Sequence, residues 1–159
     1  MFGFLPVVAA AAAMHLVDVP ATFGHKVQKA EKGSGGVVVL LPDGFYTSYP
    51  KLYPDVSTSA GRWELDLGLA KGCHDGGACG YASFSGDRAG RLFGKGRVKL
   101  RDGYTGHYAK SHCGANCSSP TIGWRQEGVV YTFSLDDIRG SAREGLKRLA
   151  NSAIDAGAR

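Results

Sequence analysis

The four cysteines constrain this chain most, because they lie in two short and separate segments. Cys73 and Cys79 flank the segment CHDGGAC, and Cys113 and Cys117 flank CGANC. An even number of cysteines in an exported chain predicts a disulfide framework. Two local bridges require the least of the fold, whereas bridges between the two segments would close a longer loop and stabilise more. The sequence leaves the connectivity open.

A zinc site and a catalytic thiol are alternative interpretations of the same cysteines. Thiolates can hold zinc tetrahedrally, and His74 and His112 lie beside them. The spacing of Cys73 and Cys79 is wider than that of the usual zinc knuckle. His112 is a poor base for Cys113, because adjacent residues on a strand point to opposite faces. Export therefore favours disulfides, and a cytosolic chain would favour zinc. We predict no catalytic residue, no metal ligand and no cofactor.

The N-terminal segment indicates the cellular compartment in which the protein is expected. Residues 2–17 carry no charged side chain, and His15 is their only titratable group. The run is short for a membrane-spanning helix, which takes about 20 apolar residues. Its length suits the apolar region of a secretory signal. We therefore expect an extracytoplasmic protein that is periplasmic, secreted or membrane-anchored.

Two cleavage sites fit this signal. Small residues at Val19 and Ala21 precede a possible cut before Thr22, and Ala11 and Ala13 precede an earlier one. Basic residues usually open a signal, but the first one here is Lys26, so a retained anchor and a buried apolar helix stay as alternatives. The sequence predicts three parts: a signal or anchor over residues 1–21, a linker over 22–36 and one α+β domain over 37–159.

Composition fits one globular domain with a basic surface charge. The chain has 159 residues, of which 43% are hydrophobic and 21% are charged, so it can bury a core without a metal. Its net charge of +5 favours an anionic partner without identifying one. An anionic polymer, a lipid surface or a protein would fit. There is no specific nucleic-acid motif.

Basic residues are concentrated in one segment of the chain. Residues 88–101 contain six basic residues and no acidic one. Arg97, Lys99 and Arg101 alternate with Val98 and Leu100, which predicts a strand with one basic face. Basic side chains on a strand also deter edge-to-edge aggregation. Phe93 is the only aromatic residue within residues 88–101 that could stack on a base. The candidate anion-binding residues are Arg88, Arg91, Lys95, Arg97, Lys99 and Arg101.

Periodicity along the chain predicts short strands. Residues 37–41 form an apolar run that is typical of a buried strand. Residues 63–69 alternate apolar and polar side chains, which indicates a half-buried strand. Glu64 and Asp66 share its outer face. Paired carboxylates can perform acid–base chemistry, but two solvated strand positions explain them as well.

The C-terminal third predicts a β-hairpin followed by a helix. Residues 122–125 and 129–135 flank a turn at Gly128, and the second arm alternates. Ser141 and Glu144 form a capping box, and the apolar residues from Leu146 to Ile154 follow helical spacing. We therefore predict an α+β fold: an antiparallel sheet of about 5–7 short strands, with a C-terminal amphipathic helix packed on one face.

This ending resembles that of bacterial extracytoplasmic domains of unknown function, which occur as lipoproteins or beyond the membrane helix of sigma-factor regulators. The resemblance covers residues 97–156. The chain departs from the family at the two cysteine loops and at the Tyr- and Pro-rich segment of residues 45–54. It implies an antiparallel sheet, a C-terminal helix and an extracytoplasmic address, but no reaction and no active-site residue. The matching residues are Trp124, Gly128, Tyr131, Leu146, Leu149, Ala150 and Ser152.

The leading functional interpretation is an exported, non-enzymatic binding or accessory domain that is stabilised by two disulfides and contacts an anionic partner. A membrane-anchored accessory subunit of a larger complex is the first alternative. A zinc- or thiol-dependent enzyme is the second. The chain offers no set of nucleophile, base and orienting group, which is why a non-enzymatic function is favoured.

Overall fold

A computed structural model describes residues 12–73 and 78–159 of the chain. The first half of the predicted signal and His74 lie outside these ranges. Within them the helices are α1 (Val19–Phe23), α2 (Lys26–Gly33) and α3 (Ala142–Ala156). None of these helices is long and apolar enough to cross a membrane. The strands are β1 (His15–Asp18), β2 (Gly44–Thr47), β3 (Tyr53–Ser59), β4 (Arg62–Gly68), β5 (Gly80–Asp87), β6 (Gly96–Lys99), β7 (Thr105–Ala109), β8 (His112–Cys113), β9 (Cys117–Ser118), β10 (Thr121–Gln126) and β11 (Val129–Leu135).

Seven strands form one antiparallel sheet in the order β3-β4-β5-β11-β10-β7-β6. The ribbons β1–β2 and β8–β9 are separate two-stranded sheets. Helix α3 packs on β10 and β11, and α2 packs on β3 and β4. The predicted α+β fold, with an antiparallel sheet and a C-terminal helix on one face, is therefore confirmed.

The two faces of the large sheet differ as the alternation predicts. Trp63, Leu65 and Leu67 of β4 are fully buried on the face that the helices cover. Phe133 of β11 joins them there, with its ring 4.9 Å edge-on from that of Trp124. Polar side chains of the same strands point to the opposite face, which we call the open face. The alternation of apolar and polar residues along these strands thus directs their large apolar side chains into a single core.

Segment 37–41 crosses the covered face without pairing as a strand. Its Val38 carbonyl accepts hydrogen bonds from Trp63 Nε1 at 3.2 Å and from the Tyr131 hydroxyl at 3.0 Å. Burial raises the pKa of Tyr131 to about 12, and the charges of Glu127 and Tyr104 add to the rise, so the hydroxyl stays a donor. The predicted strand is wrong here, because side chains rather than a neighbouring strand satisfy this backbone carbonyl; only Leu40 forms an isolated bridge.

The first elements of the described chain, β1 and α1, pack against the same core. Strand β1 pairs with β2 in full register, and the Val19 N–H donates to the Asp43 carbonyl at 3.0 Å. Val19 and Phe23 of α1 are buried. Residues 22–36 do not form the predicted linker but contain α2, whose Val27 side chain packs into the core. The polar composition of α2 reflects one exposed face of a short amphipathic helix rather than an unfolded connection.

We expect Val19→Ala to lower the free energy of unfolding by about 2 kcal/mol, because it removes two buried methyl groups and leaves a cavity. The matched control is Leu16→Ala in the preceding strand, where the side chain is 65% exposed. This control should change stability by less than about 0.5 kcal/mol. Urea unfolding of both variants with their disulfides intact provides the measurement. Equal losses in the two variants would contradict the packing of α1 into the core.

Candidate functional site

The structure pairs each cysteine with its local neighbour. Cys73 is bonded to Cys79 with their Cα atoms 5.8 Å apart, and Cys113 is bonded to Cys117 with their Cα atoms 4.0 Å apart. The second bridge joins directly opposite residues of the β8–β9 ribbon. Of the connectivities that the sequence left open, the two local staples are therefore the ones that form.

The bridges also decide between the interpretations of the cysteines. All four sulfurs are bonded in pairs, so the structure contains no free thiol to act as a nucleophile. A thiolate zinc site would need the same sulfurs. His112 lies opposite Ser118 across the ribbon, and the Ser118 hydroxyl donates to the His112 carbonyl at 3.2 Å. The structure thus favours disulfides over both alternatives.

The two disulfide loops differ in how they are packed. Cys73 is buried and lies over Gly68, where an added Cβ would come within 2.6 Å of the Cys73 Cβ. The close approach explains why β4 ends in glycine, since any larger residue would push the loop outward. Cys113 and Cys117 are exposed at the tip of their ribbon. The first disulfide therefore lies at the edge of the hydrophobic core, and the second cross-links an exposed loop.

A groove of about 880 Å³ lies between these two loops. Residues of β5 and β11 line it, together with Cys73, Ala78 and residues of the β8–β9 ribbon. A rigid sheet framed by two cross-linked loops is a preformed concave surface, which is the usual setting of a ligand site. The polar residues that line it include Asp66, Ser83, Asn116, Ser118, Ser134 and Asp136.

The charge of this groove opposes anion binding. Asp66, Asp136 and Asp137 contribute carboxylates, whereas the described lining residues include no lysine or arginine. Burial raises the pKa of the Tyr81 phenol; the neighbouring Thr47 hydroxyl opposes this rise, and the charge of Asp137 adds to it. The groove therefore presents carboxylates and hydroxyls, with the Tyr81 hydroxyl buried beneath them. The anionic partner that the sequence predicts would be repelled from it.

The acidic residues of β4 occupy structural positions. Glu64 and Asp66 share the open face, as the alternation predicts. Glu64 forms an ion pair with Arg62 at 2.6 Å and accepts a hydrogen bond from the Ser83 hydroxyl at 3.3 Å. Asp66 lies directly opposite Asp55 of β3 and is buried. The ion pair accounts for Glu64 without any catalytic role.

The six candidate anion-binding residues are all exposed, but the structure does not bring them together. Arg88 follows β5, and three strands separate β5 from β6, which is about 19 Å at the usual strand spacing. Arg101 leaves the strand in a 3₁₀ turn and lies 3.5 Å from Asp155 of α3. Arg91 lies in the segment that crosses from β5 to β6. Only Arg97 and Lys99 lie on β6 itself, and Lys95 immediately precedes it.

Two further side chains, His107 and Arg125, lie on the same open face although they were not among the predicted anion-binding residues. His107 of β7 is directly opposite Arg97, and Gly123 of β10 is opposite His107. Arg125 lies two residues beyond Gly123, on the same side of β10, and its guanidinium donates to the Gly90 carbonyl at 3.4 Å. We call Lys95, Arg97, Lys99 and Arg125 the β6 cation group, and His107 lies among them. No local pattern reveals this grouping, because it depends on the register between three strands.

Comparison with protein-family models, with curated proteins and with solved structures finds no match to this chain. The resemblance of residues 97–156 to extracytoplasmic domains stays a prediction.

We expect removal of the two disulfides to have unequal costs. The two loops have similar lengths, so loss of either bridge should lower the unfolding free energy by about 2 kcal/mol through chain entropy. Replacing Cys73 and Cys79 by serine should cost about 1 kcal/mol more, because the Cys73 side chain is buried. Replacing Cys113 and Cys117 by serine is the matched control. Urea unfolding under non-reducing conditions measures the difference in unfolding free energy. Equal or reversed losses would contradict the burial of the first disulfide and the exposure of the second.

Proposed function

We propose that this chain is an exported, non-enzymatic binding domain, stapled by two disulfides, that contacts an anionic partner through the β6 cation group. The observation that carries the proposal is the pair of local disulfides. Disulfides form and persist in oxidising compartments outside the cytoplasm. The predicted resemblance to extracytoplasmic domains agrees with this address.

The fold favours the earlier of the two predicted cleavage sites. A cut before Thr22 would remove β1 and the fully buried Val19. A cut after Ala13 would leave every residue of β1 in place, and Ala12 and Ala13 are exposed. Small residues at positions 11 and 13 satisfy the preference of signal cleavage. The mature chain of this proposal therefore starts at Met14.

The β6 cation group supports an anionic partner on three grounds. Arg97 and Lys99 project from the open face while Val98 between them is buried, so the strand fixes their direction. The described residues place no carboxylate in an ion pair with Lys95, Arg97 or Lys99. The acidic groove lies elsewhere on the molecule and cannot take an anion. Charges grouped in this way attract an anionic polymer over about a Debye length, some 10 Å at 0.1 M salt.

We expect heparin, as a probe anionic polymer, to bind at low salt and to be released as salt rises. The double variant Arg97→Glu with Lys99→Glu should bind at least about tenfold more weakly, because it reverses two charges of the group. Lys29→Glu with Lys32→Glu on exposed positions of α2 is the matched control, since it changes net charge equally.

Fluorescence titration with labelled heparin at several salt concentrations measures both effects. Binding that is equally weak in the two double variants would show attraction by net charge alone. Binding that does not depend on salt would also overturn the proposal.

A further inference from the structure

An exposed apolar patch lies on the β1–β2 ribbon. Five large hydrophobic side chains are exposed in the described part of the chain, and two of them, Leu16 and Tyr46, are direct cross-strand partners. They are 65% and 63% exposed. The opposite face of the ribbon carries Phe45, which is buried in the core. The ribbon therefore turns one apolar face inward and one outward, which a solvated hairpin does not require.

A second groove, of about 620 Å³, continues this patch towards α3. Met14, Tyr46, Ile138 and Leu149 contribute apolar lining. Arg139 and Arg148 lie at the same groove, both are exposed, and neither forms an ion pair with a described residue. Asp137 also lines this groove and is exposed, so the groove carries two guanidinium groups and one carboxylate. An apolar surface with this excess of positive charge at its edge complements an amphipathic, negatively charged surface.

The position at which the described chain begins indicates which negatively charged surface this face contacts. Residues 1–11 carry no charge, and the described chain begins beside this patch, where Met14 lines the groove. A chain that keeps this uncharged segment would therefore have further apolar residues next to Met14, which favours a membrane as the surface that this face contacts. Tyrosine and arginine are side chains suited to the membrane interface, because each has an apolar stem and a polar end.

We infer that this docking face, formed by Met14, Leu16, Tyr46, Ile138, Arg139 and Arg148, rests on an anionic phospholipid bilayer. Leu16 and Tyr46 enter the boundary between headgroups and acyl chains, and the two arginines contact lipid phosphates. This goes beyond the proposed anionic partner of the β6 cation group. Arg97 and Lys99 lie on the open face of the sheet, and α3 lies on the covered face, so the docked protein keeps the β6 cation group away from the lipid.

Site-specific quenching tests the orientation of the docked protein. The full chain would carry Tyr46→Trp and be mixed with vesicles of phosphatidylcholine and phosphatidylglycerol whose acyl chains are brominated. Phe93→Trp is the matched control, because Phe93 is 70% exposed on the segment between β5 and β6. Trp63 and Trp124 are buried in both variants and give the same background. We expect quenching several-fold stronger at position 46 than at 93, and equal quenching would overturn the inference.

Vesicle flotation with unbrominated lipid tests which residues provide the binding. Leu16→Ser with Tyr46→Ser, and separately Arg139→Glu with Arg148→Glu, should each reduce the bound fraction severalfold on vesicles that contain phosphatidylglycerol. The matched control is Lys29→Glu with Lys32→Glu on α2, which changes net charge equally and should bind as the unaltered chain does. Arg97→Glu with Lys99→Glu is tested beside it, to show whether the β6 cation group contacts lipid. Circular dichroism of each variant would show that it is folded.

The failures of the two proposals are distinguishable. If only Arg97→Glu with Lys99→Glu reduces vesicle binding, the β6 cation group contacts lipid and the docking face is refuted, while the proposed function stands. If none of the variants reduces binding, residues 1–11 alone hold the vesicle and the docking face is refuted as well. Loss of heparin binding in the β6 variant, with vesicle binding unchanged, supports both.

Discussion

The covered face of the large sheet has to be shielded from water, and the segments that shield it come from both ends of the chain. The Val38 carbonyl lies at the centre of this layer, where it accepts hydrogen bonds from Trp63 and Tyr131 of two strands of the sheet. These bonds let an irregular segment cross an apolar surface without leaving that carbonyl unsatisfied. The same segment then reaches the C-terminus, because Leu40 bridges to Ala158 and the Val39 carbonyl accepts from the Arg159 N–H.

Asp43 extends this connection between the two ends of the chain. Its backbone N–H donates to the Ser152 hydroxyl at 2.9 Å, and that hydroxyl donates to the Asp43 carboxylate at 3.2 Å. Arg159 forms an ion pair with the same carboxylate. The Asp43 carbonyl also accepts from Val19 N–H, so one residue links α1, β2 and α3. The position of the β1–β2 ribbon, and with it the docking face, follows from this network.

The features that depend only on residues close together in the sequence were predictable from the sequence. The capping box at Ser141 and the apolar spacing of α3 need only the helix itself, and the Ser141 hydroxyl indeed accepts from the Glu144 N–H. The alternation of β4 likewise shows which side chains face the core. Helix α2 was missed because it has two turns and only Val27 and Ala30 as buried residues, too few to give a periodic signal.

The features that depend on tertiary register were not predictable. Both disulfide loops end at the same groove, so spacing alone could not exclude bridges between them. The run of six basic residues in 88–101 is not one surface, because the connection from β5 to β6 crosses three strands of the sheet. His107 and Arg125 join Arg97 only through the pairing of β6, β7 and β10. Grouping basic residues by their order in the sequence therefore wrongly included Arg88 and Arg101, and it missed the side chains that β7 and β10 contribute.

The intact mass of the protein recovered from its native host, with and without alkylation under non-reducing conditions, tests the central claim most directly. The account predicts a chain that begins at Met14 and lacks the four hydrogens lost in forming two disulfides. Such a chain keeps β1 and Val19 in the folded domain. A chain that begins at Thr22, or four thiols that react with the alkylating reagent, would contradict it.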